Sequence, residues 1–153
     1  MDWSKMEEIN FWYIDRKNYS NFEFKEFKKE FIENISSKFI QLYIHDKPVL
    51  IAGKELYHKD ILELSLKKFD IKFKTRLNST KDEIPIEEGE GYKMVGAGRV
   101  KMFDEETLYF YDNSMDYLSK IKGTNKNHLE EIFGSERVDS DKLHGDLSFF
   151  VSI

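Results

Sequence analysis

Cysteine is absent from all 153 residues. That excludes disulfides, thiol nucleophiles and cysteine-based zinc sites together. Nor is there an apolar run of the roughly 20 residues that a membrane-spanning helix needs, so no membrane partner is expected. The first ten residues, MDWSKMEEIN, lack the basic-then-apolar pattern of a secretory leader. Positive charge is not in excess: 24 Lys and Arg stand against 29 Asp and Glu, a net charge of -5. A general nucleic-acid binder normally carries a basic field, so no nucleic-acid partner is expected, although a local basic pocket stays open. No internal repeat or low-complexity tract is visible, and no carboxylate cluster has the spacing of a Mg²⁺ site; neither metal nor cofactor is expected. What is present is a chain of ordinary single-domain length, 40% hydrophobic and 35% charged, which reads as a cytoplasmic enzyme or binding protein.

The hydrophobic pattern divides the chain at about residue 36. In NFEFKEFKKEFIENI, Phe24, Phe27, Phe31 and Ile35 recur at helical spacing, with Lys and Glu on the other face. The pattern predicts a helix over this stretch, within an N-terminal helical extension of residues 1–36. Such a helix packs on the chain's own sheet or makes a partner or homodimer contact. The preceding INFWYI is apolar in both periods and stays unassigned. Residues 37–153 then form the main domain. KFIQLYI (38–44) and VLIA are strands joined by a turn at HDKP, and a helix covers 55–68. FDIKFKTRL (69–77) alternates like a strand, and an acidic loop follows at 82–90. YKMV and RVKMF flank Gly96-Ala97-Gly98 as strand. LYFYD is the next strand, NHLEEIF a short helix stopped by Gly134, and LSFFVSI a final strand. Together these elements predict an α/β (α+β) single domain, a mixed sheet with helices packed on its faces.

Three stretches carry chemistry. His58, one of only four histidines, sits near the start of helix 55–68. Unpaired N–H groups and the positive end of the helix dipole favour an anion there and keep the imidazole neutral. A neutral imidazole serves as base or nucleophile. Taken alone, His58 reads more readily as a half-buried helix histidine with a satisfied hydrogen bond. In MVGAGRV, the glycines mark a bulge or a close approach, and Arg99 offers a planar fork to an oxyanion. It has neither the spacing of a dinucleotide-binding loop nor the Gly-Lys-Ser/Thr of a P-loop. In YDNSMDY, a strand runs into a polar turn that either aims N–H groups and the Ser114 hydroxyl into a pocket or merely caps the next segment.

In this order, Lys38 in SKFIQLYI, YHKDIL at 57–62, GAGRV at 96–100 and YDNSMDYL at 111–118 resemble the Janus, or phosphohistidine phosphatase, family. Its pattern is a Lys-bearing strand, Tyr-His-Ala-Asp opening a helix, Gly-Gly-Gly-Arg, and Tyr-Ser-Met-Ala-Tyr after a strand. The resemblance spans roughly residues 37 to 153 and reverses the reading of His58 taken alone. It implies a metal-independent phosphohydrolase that removes phosphate from phosphohistidine in a protein substrate. The catalytic group is then His58. Phosphate contacts come from Lys38, Lys59, Arg99 and the Ser114-Met115-Asp116 turn, with Tyr57, Gly96 and Gly98 in support. Lys59 and Asp116 stand where the family has Ala, and Ala97 where it has its middle glycine. Asp116 brings a carboxylate to the implied phosphate cradle. It motivates the alternative, a non-catalytic Janus-like module that binds a protein or an anionic ligand.

Overall fold

A computed structural model describes residues 8–18, 20–33, 35–77, 81, 83–85, 88–89, 91–111, 123–143 and 148–153. Eleven strands are present among them: β1 (Phe11–Asn18), β2 (Asn21–Glu26), β3 (Ser37–Ile44), β4 (Lys47–Gly53), β5 (Thr75–Leu77), β6 (Glu83–Pro85), β7 (Glu88–Gly89), β8 (Tyr92–Asp104), β9 (Thr107–Tyr111), β10 (Val138–Ser140) and β11 (Phe149–Ser152). The α-helices among the described residues are α1 (His58–Lys68) and α2 (Lys126–Phe133). Eight strands form one sheet in the order β10-β11-β9-β8-β3-β4-β1-β2, and β7 adds to β8; β5 and β6 pair apart from it. Among the described strands only β1 and β4 run parallel, with Phe11 opposite Leu50 and Ile14 opposite Gly53; the other pairings are antiparallel.

Side chains alternate across a strand, so this sheet carries two cores. Trp12, Ile14, Ile40, Leu42, Ile44, Val49 and Ile51 share one cluster with Ile61, Leu62 and Leu66 of α1. Phe11, Tyr13, Phe39, Leu50, Val100, Phe110 and Val151 share the other with Leu129 of α2. The expected α/β (α+β) layering, helices packed on the sheet's faces, does not hold. The molecule is a large mixed sheet with two helices, of 11 and 8 residues, among the described residues. The stretches assigned to further helix fold as strand or lie outside the described residues.

The largest correction concerns residues 21–35. Instead of a helix, residues 21–26 form β2, and a 3-10 turn covers Lys29–Ile32. The phenylalanines do not share a face. Phe24 packs edge-on to Trp12 and Phe69, whereas Phe27 stacks on Phe11 and Phe31 on Tyr13. The helix that would carry a homodimer contact is therefore not there. Within this N-terminal stretch, β1 lies inside the main sheet between β4 and β2.

Smaller differences have local causes. The expected strand 69–77 shrinks to residues 75–77. Its alternation is genuine burial: Phe69 and Ile71 are core residues and Phe73 packs against them. That burial lies under α1 rather than in a ladder. The helix ends in a Schellman-type closure, Ile71 N–H to the Leu66 carbonyl (2.8 Å) and Asp70 N–H to the Lys67 carbonyl (3.2 Å). Asp70 takes the left-handed position, φ 58°, that glycine normally fills. β3 and β4 are joined by a two-residue turn, His45-Asp46, with φ of 48° and 68°. Both signs suit a type I′ hairpin. The expected strands around Gly96-Ala97-Gly98 are one continuous β8, with a bulge at Val95 where Gln41 faces Gly96 and Leu42 faces Met94.

Candidate functional site

The period of two decides which side chains meet. On β1, Trp12 and Ile14 enter the α1-side core, so Arg16 two residues on projects to that side. On β3, Lys38 precedes Ile40 and Leu42 of the same core in the same way. Arg99 on β8 lies directly opposite Lys38 in the pairing of β3 with β8. α1 begins only at His58, so these three cations stand at the uncovered end of the sheet, beside the helix N-terminus. There they border a cavity of about 440 Å³ whose walls also include Ser37, Glu55 and Tyr57.

The loop from β4 to α1 shapes the cavity. A Cβ on Gly53 would lie 3.1 Å from Leu56 Cδ1 and 3.3 Å from Ile61 Cγ1, so glycine lets residues 54–57 fold back over the strand end. Glu55 adopts a left-handed φ of 58°, unusual for a side-chain-bearing residue. Its carbonyl accepts a hydrogen bond from Arg16 Nη1 at 3.4 Å. Tyr57, 60% exposed, caps α1, and its ring lies 4.7 Å from Lys38 Nζ. Its N–H donates to the Asp60 carboxylate at 3.1 Å, so one first-turn group is already satisfied by a side chain.

His58 is the first residue of α1 and only 1% exposed. Its Nε2–H donates to the Gly98 carbonyl at 2.8 Å. In a neutral ring this leaves the lone pair on Nδ1, an atom that is also buried. The helix-opening histidine and the glycine stretch therefore meet, with Gly98 as the contact. His58 is not itself in the cavity wall; Leu56 and Tyr57 are. Lys59, the second helix residue, is half-buried and also outside that wall. Ser114, Met115 and Asp116 lie outside the described residues.

Gly96 marks the close approach of another group. A Cβ there would fall on Gln41 Oε1, 2.8 Å from Gln41 Cδ and 3.1 Å from the Asn125 nitrogen. The space belongs to a buried amide. Gln41 Nε2 donates to the Asn125 carbonyl (2.8 Å) and to His128 Nδ1 (3.2 Å), and Gln41 Oε1 accepts from Asn125 N–H (2.7 Å). His128 Nε2–H donates to the Leu42 carbonyl at 2.8 Å. Burial pushes His128 down to about 4, outweighing that bond and the nearby Glu131 carboxylate. Next to it, burial and then the bond to Glu131 (2.7 Å) push Tyr43 up to about 12. Every polar atom of the Gln41 amide has a partner, which makes this a scaffold that joins α2 to β3 and β8.

Sequence reasoning missed Arg16, Glu55 and the Gln41–His128 pair. Arg16 had a faint signal, the alternation Trp12, Ile14, Arg16. Gln41 and His128 had none, because each is explained only by the other. Among the described residues, no group of three or more His, Asp or Glu is placed to hold a metal ion, and no helix is long and apolar enough to cross a membrane. No family model, curated protein or solved structure matches the chain.

Proposed function

We propose that the chain is a phosphohistidine phosphatase-like phosphohydrolase of the Janus type, acting on a phosphorylated protein. The observation that carries the reading is Lys38 directly opposite Arg99 at the edge of a cavity beside α1. The first residue of α1, His58, is tied to the carbonyl of Gly98. Phosphoryl transfer needs positioning and neutralised charge more than covalent machinery. Lys38 supplies a point charge, Arg99 a planar fork, and the first turn of α1 its N–H groups and dipole.

In this reading the P–N bond of the substrate breaks and its imidazole leaves with a proton. The phosphoryl group passes to water or first to His58. As base, His58 takes the proton of the attacking water; as nucleophile, it holds the phosphoryl group until water cleaves the new P–N bond. The Gly98 carbonyl holds the ring in one tautomer and stabilises the imidazolium. The same reading makes this a cytoplasmic enzyme.

A second reading, a non-catalytic anion- or protein-binding module of the same type, is favoured by one observation. His58 is buried and not in the cavity wall. Phosphate release from a phosphohistidine-bearing polypeptide separates the two. The enzyme reading expects turnover, lost more than 100-fold in His58→Ala and His58→Gln. Because His58 is buried, the glutamine variant is the more informative, as its amide still offers an N–H to Gly98. Lys38→Ala and Arg99→Ala should each weaken inorganic phosphate binding by about 1.5–3 kcal/mol, the worth of a charged hydrogen bond. A wild type that binds phosphate without turnover supports the module. One that does neither refutes the enzyme and the anion-binding form of the module.

A further inference from the structure

We propose that Arg16 is a third substrate-binding cation, brought by the β1–β2 hairpin to the anion seated against Lys38 and Arg99. The inference rests on the phosphate-site reading above and extends it to a residue that reading does not need.

Arg16 is one of four residues, with Glu55, Leu56 and Tyr57, common to two adjoining spaces. It borders the cavity with Lys38 and Arg99. It also borders a neighbouring one of about 360 Å³, between β2 and α1, lined by Phe22, Asp60, Glu63 and Lys67. Its guanidinium is aimed by contacts along one edge and one face. Nε–H reaches the Asn18 carbonyl and Nη1–H the Glu55 carbonyl, each at 3.4 Å. The Phe22 ring lies 5.8 Å from its carbon. A guanidinium held this way is pre-oriented, so little rotamer freedom is lost when it meets an anion.

Charge counting gives Arg16 its weight. Arg16, Lys38 and Arg99 are the cations in the first cavity, and Glu55 is the carboxylate. Arg16 adds a third positive group to Lys38 and Arg99 at a wall that also carries the Glu55 carboxylate, and each such group adds attraction for an anion seated there. Substrate affinity, rather than the bond-breaking step alone, therefore depends on the N-terminal hairpin.

The experiment compares wild type, Arg16→Ala and Arg16→Lys by inorganic phosphate titration followed by NMR, and by steady-state release of phosphate from phosphohistidine polypeptide. Arg16→Ala should raise the phosphate Kd and KM roughly tenfold, the size of one charged hydrogen bond. It should change kcat less than threefold and leave the melting temperature within a few degrees. Arg16→Lys should recover part of the affinity. A purely structural role would instead lower the melting temperature and would not be rescued by lysine. Unchanged Kd and KM in Arg16→Ala, beside an active wild type, overturns the inference and leaves the enzyme reading standing. A wild type that binds phosphate without turnover overturns the enzyme reading, and the Kd comparison alone then decides for or against Arg16. A wild type that binds no phosphate overturns both.

Discussion

Replacing Gly96 by alanine inverts an ordinary expectation. Within a strand, Gly→Ala is worth about 0.5–1 kcal/mol in favour of the fold, because glycine loses more backbone freedom on folding. Here the added methyl would occupy the site of the Gln41 amide and press on the backbone of Asn125. The amide has to leave, and with it go three hydrogen bonds, two part-buried to Asn125 and one buried to His128. At about 1 kcal/mol net for each bond, and another 1–2 for buried groups left without partners, the loss is about 4–5 kcal/mol. For a domain stable by about 5–15 kcal/mol, that is a large fraction. Urea unfolding of wild type, Gly96→Ala, Gln41→Ala and the double variant measures it. In the Gln41→Ala background the methyl has space, so Gly96→Ala should cost less than about 0.5 kcal/mol. The coupling between the two sites should then be about 3.5–5 kcal/mol. Phosphate affinity of the folded fraction should not change, because Gly96 is not in the cavity wall. Additive losses, or a Gly96→Ala protein as stable as wild type, would refute the assignment of this glycine to the Gln41 amide.

Acidification should act through His128. Its folded value of about 4 lies below the ordinary 6.5. Its contribution is therefore complete above about pH 6.5 and is lost as pH falls through about 4, on the order of 3 kcal/mol in all. Urea midpoints between pH 7 and 4 should fall more steeply for wild type than for His128→Gln, and parallel curves would count against it. Asp70→Gly should stabilise the fold by about 1 kcal/mol, because glycine accepts the left-handed position at the end of α1 without a Cβ penalty; a lowered melting temperature would contradict this. Deleting residues 1–26 removes Phe11, Trp12, Tyr13 and Ile14, all buried. At about 1.5–3 kcal/mol for each side chain, the loss is about 6–12 kcal/mol, as large as the stability of a typical domain. No cooperative melt should remain by circular dichroism, and a sharp transition would return the N-terminal strands to the status of an appendage.

Local patterns reached some elements and not others, for identifiable reasons. The β3–β4 hairpin was readable because its strands and its two-residue turn are contiguous. Helix α1 was readable to within three residues at its start; its first residue was misplaced because the cap is Tyr57, a residue with no capping preference. β1 was not readable because it is covered on both faces, Phe11 and Tyr13 toward one core and Trp12 and Ile14 toward the other. A strand apolar on both faces has no period to detect. Phe24, Phe27 and Phe31 misled because a spacing of three also arises when a strand ends and the chain crosses to the sheet's other face. The meaning of the glycines was half legible. A close approach was expected, and one is found at Gly96; that the approaching group is the Gln41 side chain was not readable. Lys38, Arg99 and His58 were chosen for chemistry, and the first two reach one cavity while the third stands just behind it.

The interior position of β1 constrains how the chain assembles. Two hairpins, β1–β2 and β3–β4, need only neighbours in sequence to form. Joining them requires Phe11 to find Leu50 in parallel register. Bringing β8 against β3 requires Ser37 to find Val100, the most distant pairing among the described strands. Contacts between distant residues must meet the entropy of loop closure before they return any stability, so this step sets a slow folding rate. Arg16, Lys38 and Arg99 come from β1, β3 and β8, one from each partner in those two late events. A nascent chain that has emerged only as far as β4 already has two hairpins to dock, yet it lacks Arg99. The three cations come together only when β8 closes on β3.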